Sequence, residues 1–114
     1  MAGPRNILLV GFMASGKTEA GRALARLTGW PLVDTDAEIV SRAGRTIHQI
    51  FQEEGEPVFR ALEAKVVQEL CAGSGQIISA GGGAFVDPDN RARILAGGLV
   101  FCLSARPETI HRRI

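Results

Sequence analysis

The chain has 114 residues, 46% of them hydrophobic and 22% charged, with 13 basic against 12 acidic side chains. That length bounds a single domain, and the apolar share excludes a disordered chain. A net charge of +1 excludes the broad basic surface that non-specific nucleic-acid binding needs. No apolar run approaches the ~20 residues of a membrane span, so neither nucleic acid nor a membrane is an expected partner. The opening residues, MAGPRNILLVGF, hold too short an apolar stretch for a signal peptide, and Gly11 interrupts it. Cys71 and Cys102 sit in apolar runs and read as buried thiols rather than a disulfide. A reducing, cytoplasmic location is the expectation.

Apolar runs and amphipathic stretches alternate along the chain. Residues 6–12 (NILLVGF) form a continuous branched run that predicts a buried strand. Residues 17–27 follow with Ala20, Ala23, Leu24 and Leu27 on one side, which predicts a helix ending near Gly29. A short strand is predicted at residues 31–34 (PLVD) and a short helix over 37–43, ending at Gly44. Ile47, Ile50 and Phe51 have helical spacing up to Gly55. Pro57 then stands where a first helical residue is expected, and Phe59, Leu62, Val66 and Leu70 make one long stripe ending near Gly73. Residues 76–80 (QIISA) read as a third strand running into Gly81, Gly82 and Gly83. Asp87 and Pro88 open a helix that stops at Gly97 and Gly98. Residues 99–103 (LVFCL) are a fourth strand, and Arg106 and Pro107 open a last helix. Strand–helix alternation of this kind implies a parallel sheet covered on both faces.

Residues 11–18, GFMASGKT, match G-x-x-x-x-G-K-[ST], the Walker A pattern, with a buried strand before and an amphipathic helix after. Backbone N–H groups at such a helix start cradle phosphate oxygens. Gly11 and Gly16 permit the close approach, Lys17 reaches the β- and γ-phosphates, and the Thr18 hydroxyl is a Mg²⁺ ligand. Nucleotide binding is the reading.

Asp34 and Asp36 flank Thr35 at the end of the second strand. In parallel sheets the carboxyl ends of strands line the ligand crevice. One carboxylate there can hold Mg²⁺ or take a proton from an acceptor hydroxyl, and the other can bind substrate hydroxyls. Either can instead cap the following helix. Arg60 and Glu63 share a helix face at i, i+3. They form either a solvated ion pair or a guanidinium fork, oriented by Glu63, that grips a carboxylate. Glycines 81–83 read as close backbone approach or as a plain turn.

Together GFMASGKT, LVDTD, FRALE and SAGGGA, in that order, closely resemble the shikimate kinase family, a nucleoside-monophosphate-kinase-like P-loop group. The resemblance spans essentially all 114 residues. It implies a three-layer α/β/α P-loop NTPase fold with a parallel sheet. It also implies transfer of the γ-phosphoryl group of ATP to the 3-hydroxyl of shikimate, on the route to chorismate and the aromatic amino acids. By position it implies ATP contacts from Gly11, Ala14, Ser15, Gly16, Lys17, Thr18 and Glu19. Arg112 or Arg113 falls near the adenine. Lys17 and Asp34 are the implied catalytic pair, with Asp34 the base, and Thr18 and Asp34 hold Mg²⁺. Shikimate falls to Asp36, Arg60, Gly81, Gly82 and Gly83, with Glu63 orienting Arg60. Residues 1–34 and 76–114 make the nucleotide-binding core and 35–75 a helical substrate-binding subdomain of a monomer.

Family chains continue past this point into an arginine-rich lid, a second carboxylate-binding arginine, a final strand and an adenine loop. The 114 residues therefore correspond to the front part, with the final strand and lid missing, and are expected to bind nucleotide weakly and turn over poorly. Two alternatives stand beside this reading. One is a lidless nucleotide-binding regulatory module without catalysis. The other is a different small-molecule kinase of the same group, such as a gluconate kinase, against which FRALE and the glycine triplet argue.

Overall fold

The computed structural model describes residues 5–11, 14–81, 83–103 and 110–113. Its sheet has five strands: β1 (Asn6–Gly11), β2 (Leu32–Asp34), β3 (Ile77–Ser79), β4 (Gly98–Leu103) and β5 (Ile110–Arg113). They lie in the order β2-β3-β1-β4-β5, and the first four are parallel. Five helices connect them: α1 (Ala14–Thr28), α2 (Thr35–Ala43), α3 (Ile47–Glu54), α4 (Glu56–Ala72) and α5 (Pro88–Gly97).

The pleat sorts the strand side chains into two cores. Leu8, Val10, Ile78 and Val100 face one way and bury with Val67 and Ile94 from α4 and α5. Leu9 and Ile77 face the other way, against Ala20 and Leu24 of α1 and Trp30. This is the three-layer α/β/α arrangement. A third cluster, Ile39, Ile50, Phe59 and Val66, joins α2, α3 and α4, and Leu70 packs on both this cluster and the sheet. The helices are closed by local chemistry. Thr46 and Gln49 form a reciprocal capping box on α3, Asp87 caps α5 ahead of Pro88, and Gly44 ends α2 in the left-handed region at φ +68°.

At the amino edge of the sheet one buried amide ties four segments together. Asn6 Nδ2 donates to Gly73 O at 3.0 Å and to Gly97 O at 3.3 Å. Its Oδ1 accepts from Gln76 N at 3.2 Å and Gln76 Nε2 at 3.3 Å. All four hydrogen-bonding positions of the amide are filled, which is what makes its burial affordable in free energy.

The expected terminal helix is the main correction. Arg106 and Pro107 lie outside the described residues, but Ile110–Arg113 is a strand, antiparallel to β4, with Leu103 opposite Ile110 and Val100 opposite Arg113. The sheet is thus mixed rather than wholly parallel. An eight-residue helix is marginal on its own, whereas the open side of β4 offers unpaired backbone groups that a strand satisfies. Smaller differences are at boundaries. α1 begins at Ala14 and α2 at Thr35, each earlier than the apolar periodicity suggests, and the start of α2 is set by its Asp34 cap. Both cysteines are free thiols, half-buried rather than buried. Among the described residues no helix is long and apolar enough to cross a membrane.

Candidate functional site

Parallel strands bring their carboxyl ends to one edge. β1 ends there at Gly11, where φ is +133°; β2 ends at Asp34; and β3 ends at Ser79, continuing into Ala80 and Gly81. α1 starts directly beyond β1, so its first turn, which contains Ala14, Ser15, Gly16 and Lys17, opens onto the same edge. Thr18 and Glu19 follow on the exposed side of that helix. A helix start of this kind, with free N–H groups and the positive end of the helix dipole, is an anion site.

Lys17 is tightly held. It is only 6% exposed, and its Nζ donates to the Ala80 carbonyl at 2.6 Å. Burial pulls its pKa below the ordinary lysine value, while the carboxylates of Asp34 and Asp36 push it back up. Asp34 does cap α2: its Oδ1 accepts from Ala37 N at 3.0 Å. That bond fixes the carboxylate at the strand end, so the cap and an electrostatic role toward Lys17 coexist. Asp36 is half-buried. Burial first, and the neighbouring Asp34 second, hold its carboxyl above the usual aspartate range, against Lys17 and Arg60.

The glycines explain how the acidic and basic groups fit. A Cβ on Gly81 would stand 2.5 Å from Asp36 Oδ1, and a Cβ on Gly83 would stand 2.5 Å from Arg60 Nη1. Side chains at either position would displace a charged group, so the backbone here is a floor on which a carboxylate and a guanidinium rest. Gly82 lies outside the described residues. Arg60 Nη1 donates to Glu63 Oε1 at 2.9 Å, and Glu56 adds a longer contact to Nε at 3.5 Å. The guanidinium also lies 5.2 Å from the centre of the Phe59 ring. Glu63 is 1% exposed; its burial raises its pKa, and the Arg60 bond opposes that. Its hydrogen-bond partner, Arg60, is more open to solvent, so the pair is anchored at its buried end rather than wholly solvated. Beside it is a cleft of about 470 Å³ lined by Glu56, Arg60, Gly83, Val86, Asp87 and Pro88, a size suited to a small molecule.

Lys17, Asp34, Asp36, Arg60 and Glu63 thus form one electrostatic cluster at the carboxyl edge. Arg112 stands in β5 opposite Phe101, on the outer strand, in the register row that runs through Leu9 and Ser79 to Asp34 on the other outer strand. That follows from the strand replacing the expected helix. Two participants escape the motif reading: the Ala80 carbonyl, and Thr35, whose buried Oγ1 accepts from Gly81 N at 2.8 Å. The only signal for Thr35 was its position between the two aspartates.

The available donors are oxygens. The Thr18 hydroxyl and the Asp34 carboxylate are the type that Mg²⁺ takes alongside phosphate oxygens and water. Among the described residues no group of three or more His, Cys, Asp or Glu side chains could hold a metal alone.

A family model described as shikimate kinase matches residues 13–114. A shikimate kinase of Symbiobacterium thermophilum is 49% identical over 108 residues, covering 95% of this chain and 62% of the relative. One from Desulforudis audaxviator is 43% identical over 110 residues, covering 96% and 58%. Among solved structures, a shikimate kinase from Acinetobacter baumannii in complex with shikimate has a TM-score of 0.86 at 41% identity, covering 90% of this chain and 57% of that one. The Aquifex aeolicus shikimate kinase has a TM-score of 0.83 at 35% identity, covering 89% and 60%. The chain therefore spans about three fifths of the length of the relatives it matches. On the family match and these identities, the chain belongs to the shikimate kinase family.

Proposed function

We propose that the protein transfers the γ-phosphoryl group of ATP to the 3-hydroxyl of shikimate, giving shikimate 3-phosphate. The observation that carries this is the glycine floor, which supports a carboxylate at Gly81 and a guanidinium at Gly83 beside the phosphate-binding helix. An acceptor that bears both a carboxylate and a row of hydroxyls matches that pairing. Arg60, held by Glu63, takes the carboxylate through a guanidinium fork. Asp36 accepts hydrogen bonds from ring hydroxyls, and Gly81, Gly82 and Gly83 contribute backbone contacts.

Phosphoryl transfer asks the protein for positioning and charge stabilisation more than for covalent chemistry. The backbone from Gly11 through Gly16 holds the phosphates, with Ala14, Ser15 and Glu19 at the same loop and helix start. Lys17 leaves the Ala80 carbonyl to pair with the β- and γ-phosphates. Asp34, fixed by its cap to Ala37, takes the proton from the attacking hydroxyl. Thr18 and Asp34 would hold Mg²⁺, which would supply charge neutralisation to the phosphate oxygens. Residues 35–75 form the acceptor-binding part and the remainder the nucleotide-binding core. Two free thiols fit a reducing compartment, and a cytoplasmic monomer is the corresponding form.

The test is a long incubation with MgATP and shikimate, read by phosphorus NMR. The reading predicts a phosphate-monoester signal that needs shikimate and vanishes in Lys17→Ala. ATP cleaved to free phosphate with no monoester, or gluconate phosphorylated in preference, would overturn it.

A further inference from the structure

One peptide unit is held at both ends by the two halves of the site. The carbonyl of the Ala80–Gly81 peptide accepts from Lys17 Nζ at 2.6 Å, and its N–H donates to Thr35 Oγ1 at 2.8 Å. Both bonds are buried, and they join residues 63 and 46 positions apart in sequence. Thr35 itself is 1% exposed, at the first position of α2, between the aspartates that end β2 and open that helix. A peptide polarised from both sides strengthens each of its hydrogen bonds, since a cation on the carbonyl makes the N–H a better donor. The same peptide leads into Gly81, where the Asp36 carboxylate occupies the space a Cβ would take.

We propose that Thr35 is a positioning residue for this site: its hydroxyl sets the Ala80–Gly81 peptide, and through that carbonyl the resting place of the Lys17 ammonium. The nucleotide end and the acceptor end then share one backbone unit, and the side chain that orients it need touch neither ligand. This rests on the reading of Lys17 as a phosphate-binding lysine, and it deepens that reading by naming what holds the lysine before nucleotide arrives. Valine at 35 keeps the shape and removes the acceptor, leaving the Gly81 N–H buried without a partner. Serine keeps the acceptor.

The test uses the 114-residue chain as parent, Thr35→Val, Thr35→Ser and Lys17→Met, with the Gly81 amide followed by NMR and ADP affinity by calorimetry. Without ligand, Lys17→Met should move the Gly81 amide resonance upfield, and Thr35→Val should speed its hydrogen exchange at least about tenfold. Thr35→Val should weaken ADP about 3- to 10-fold, the size of one net hydrogen bond, and Thr35→Ser should restore both parent values. A Gly81 amide indifferent to Lys17→Met overturns the proposal, and so does a folded Thr35→Val with parent exchange and parent ADP affinity. Equal loss in the serine and valine variants also overturns it, because that would mark a packing role. Should Thr35→Val not fold, Lys17→Met and Thr35→Ser still decide. Should the parent fail to bind ADP while the Gly81 amide still answers Lys17→Met, the nucleotide reading fails and the shared peptide stands.

Discussion

The Arg60 guanidinium rests on Gly83 so closely that a Cβ there would meet Nη1 at 2.5 Å. The atom in the way is the far end of a flexible side chain, so it can swing aside at little cost to the fold. Gly83→Ala should therefore leave the melting temperature within a few degrees of the parent while weakening shikimate about tenfold or more, because the fork loses its direction. ADP affinity should stay near the parent value. Parallel calorimetric titrations with shikimate and ADP check this, and equal loss for both ligands would contradict it.

Arg60→Ala acts on Glu63 as well as on the acceptor. Burial already raises the Glu63 pKa above its ordinary value of 4.5, and Arg60 is the main force holding it down. A raised carboxyl favours the folded state below the ordinary glutamate range and loses that contribution as pH rises through its folded value. Removing Arg60 raises Glu63 further, so the stability deficit of the variant should be largest at neutral pH, about 1–3 kcal/mol, and shrink toward pH 4–5. Arg60→Ala with Glu63→Gln should recover part of it. Urea denaturation across that pH range is the measurement, and a deficit that grows on acidification would refute the assignment.

Asp34 caps α2 and is the base in the proposed function, and one substitution separates the two. Asp34→Asn keeps an oxygen to accept the Ala37 N–H, so its stability should stay within about 0.5 kcal/mol of the parent while monoester formation is lost. Asp34→Ala should lose the cap too, about 1 kcal/mol. Product formation at parent level in the asparagine variant would remove Asp34 as the base.

Far from the site, Asn6→Ala should cost about 1–3 kcal/mol. It strips partners from the Gly73 and Gly97 carbonyls and from the Gln76 N–H at the opposite edge of the sheet. Chemical denaturation gives the loss, and a variant as stable as the parent would mean that water replaces the amide without cost.

Groups whose role is carried by a local pattern were readable in the sequence, and groups that act through tertiary contact were not. The strand-loop-helix around GFMASGKT is local, so its nucleotide reading came directly from spacing. Asp34 was readable as a cap or a catalytic carboxylate, and the cap was the part that geometry could decide. The fork of Arg60 and Glu63 was visible as an i, i+3 pair, but its burial was not, because the packing around Glu63 comes from other segments. Thr35 and the Ala80 carbonyl take their meaning from partners 46 and 63 residues away, and Asn6 from partners as far as 91. No window of sequence contains those pairs. The last strand was misread for the same reason: Ile110–Arg113 has no helix-breaking residue of its own, and only the free side of β4 makes it a strand.

The most direct measurement of the central claim is a calorimetric titration of shikimate into the 114-residue chain saturated with ADP and Mg²⁺, with gluconate as the comparison ligand. The account predicts saturable shikimate binding at one site, lost in Arg60→Ala, with gluconate giving no comparable heat. Shikimate binding of equal strength in the parent and in Arg60→Ala, or a preference for gluconate, would contradict it.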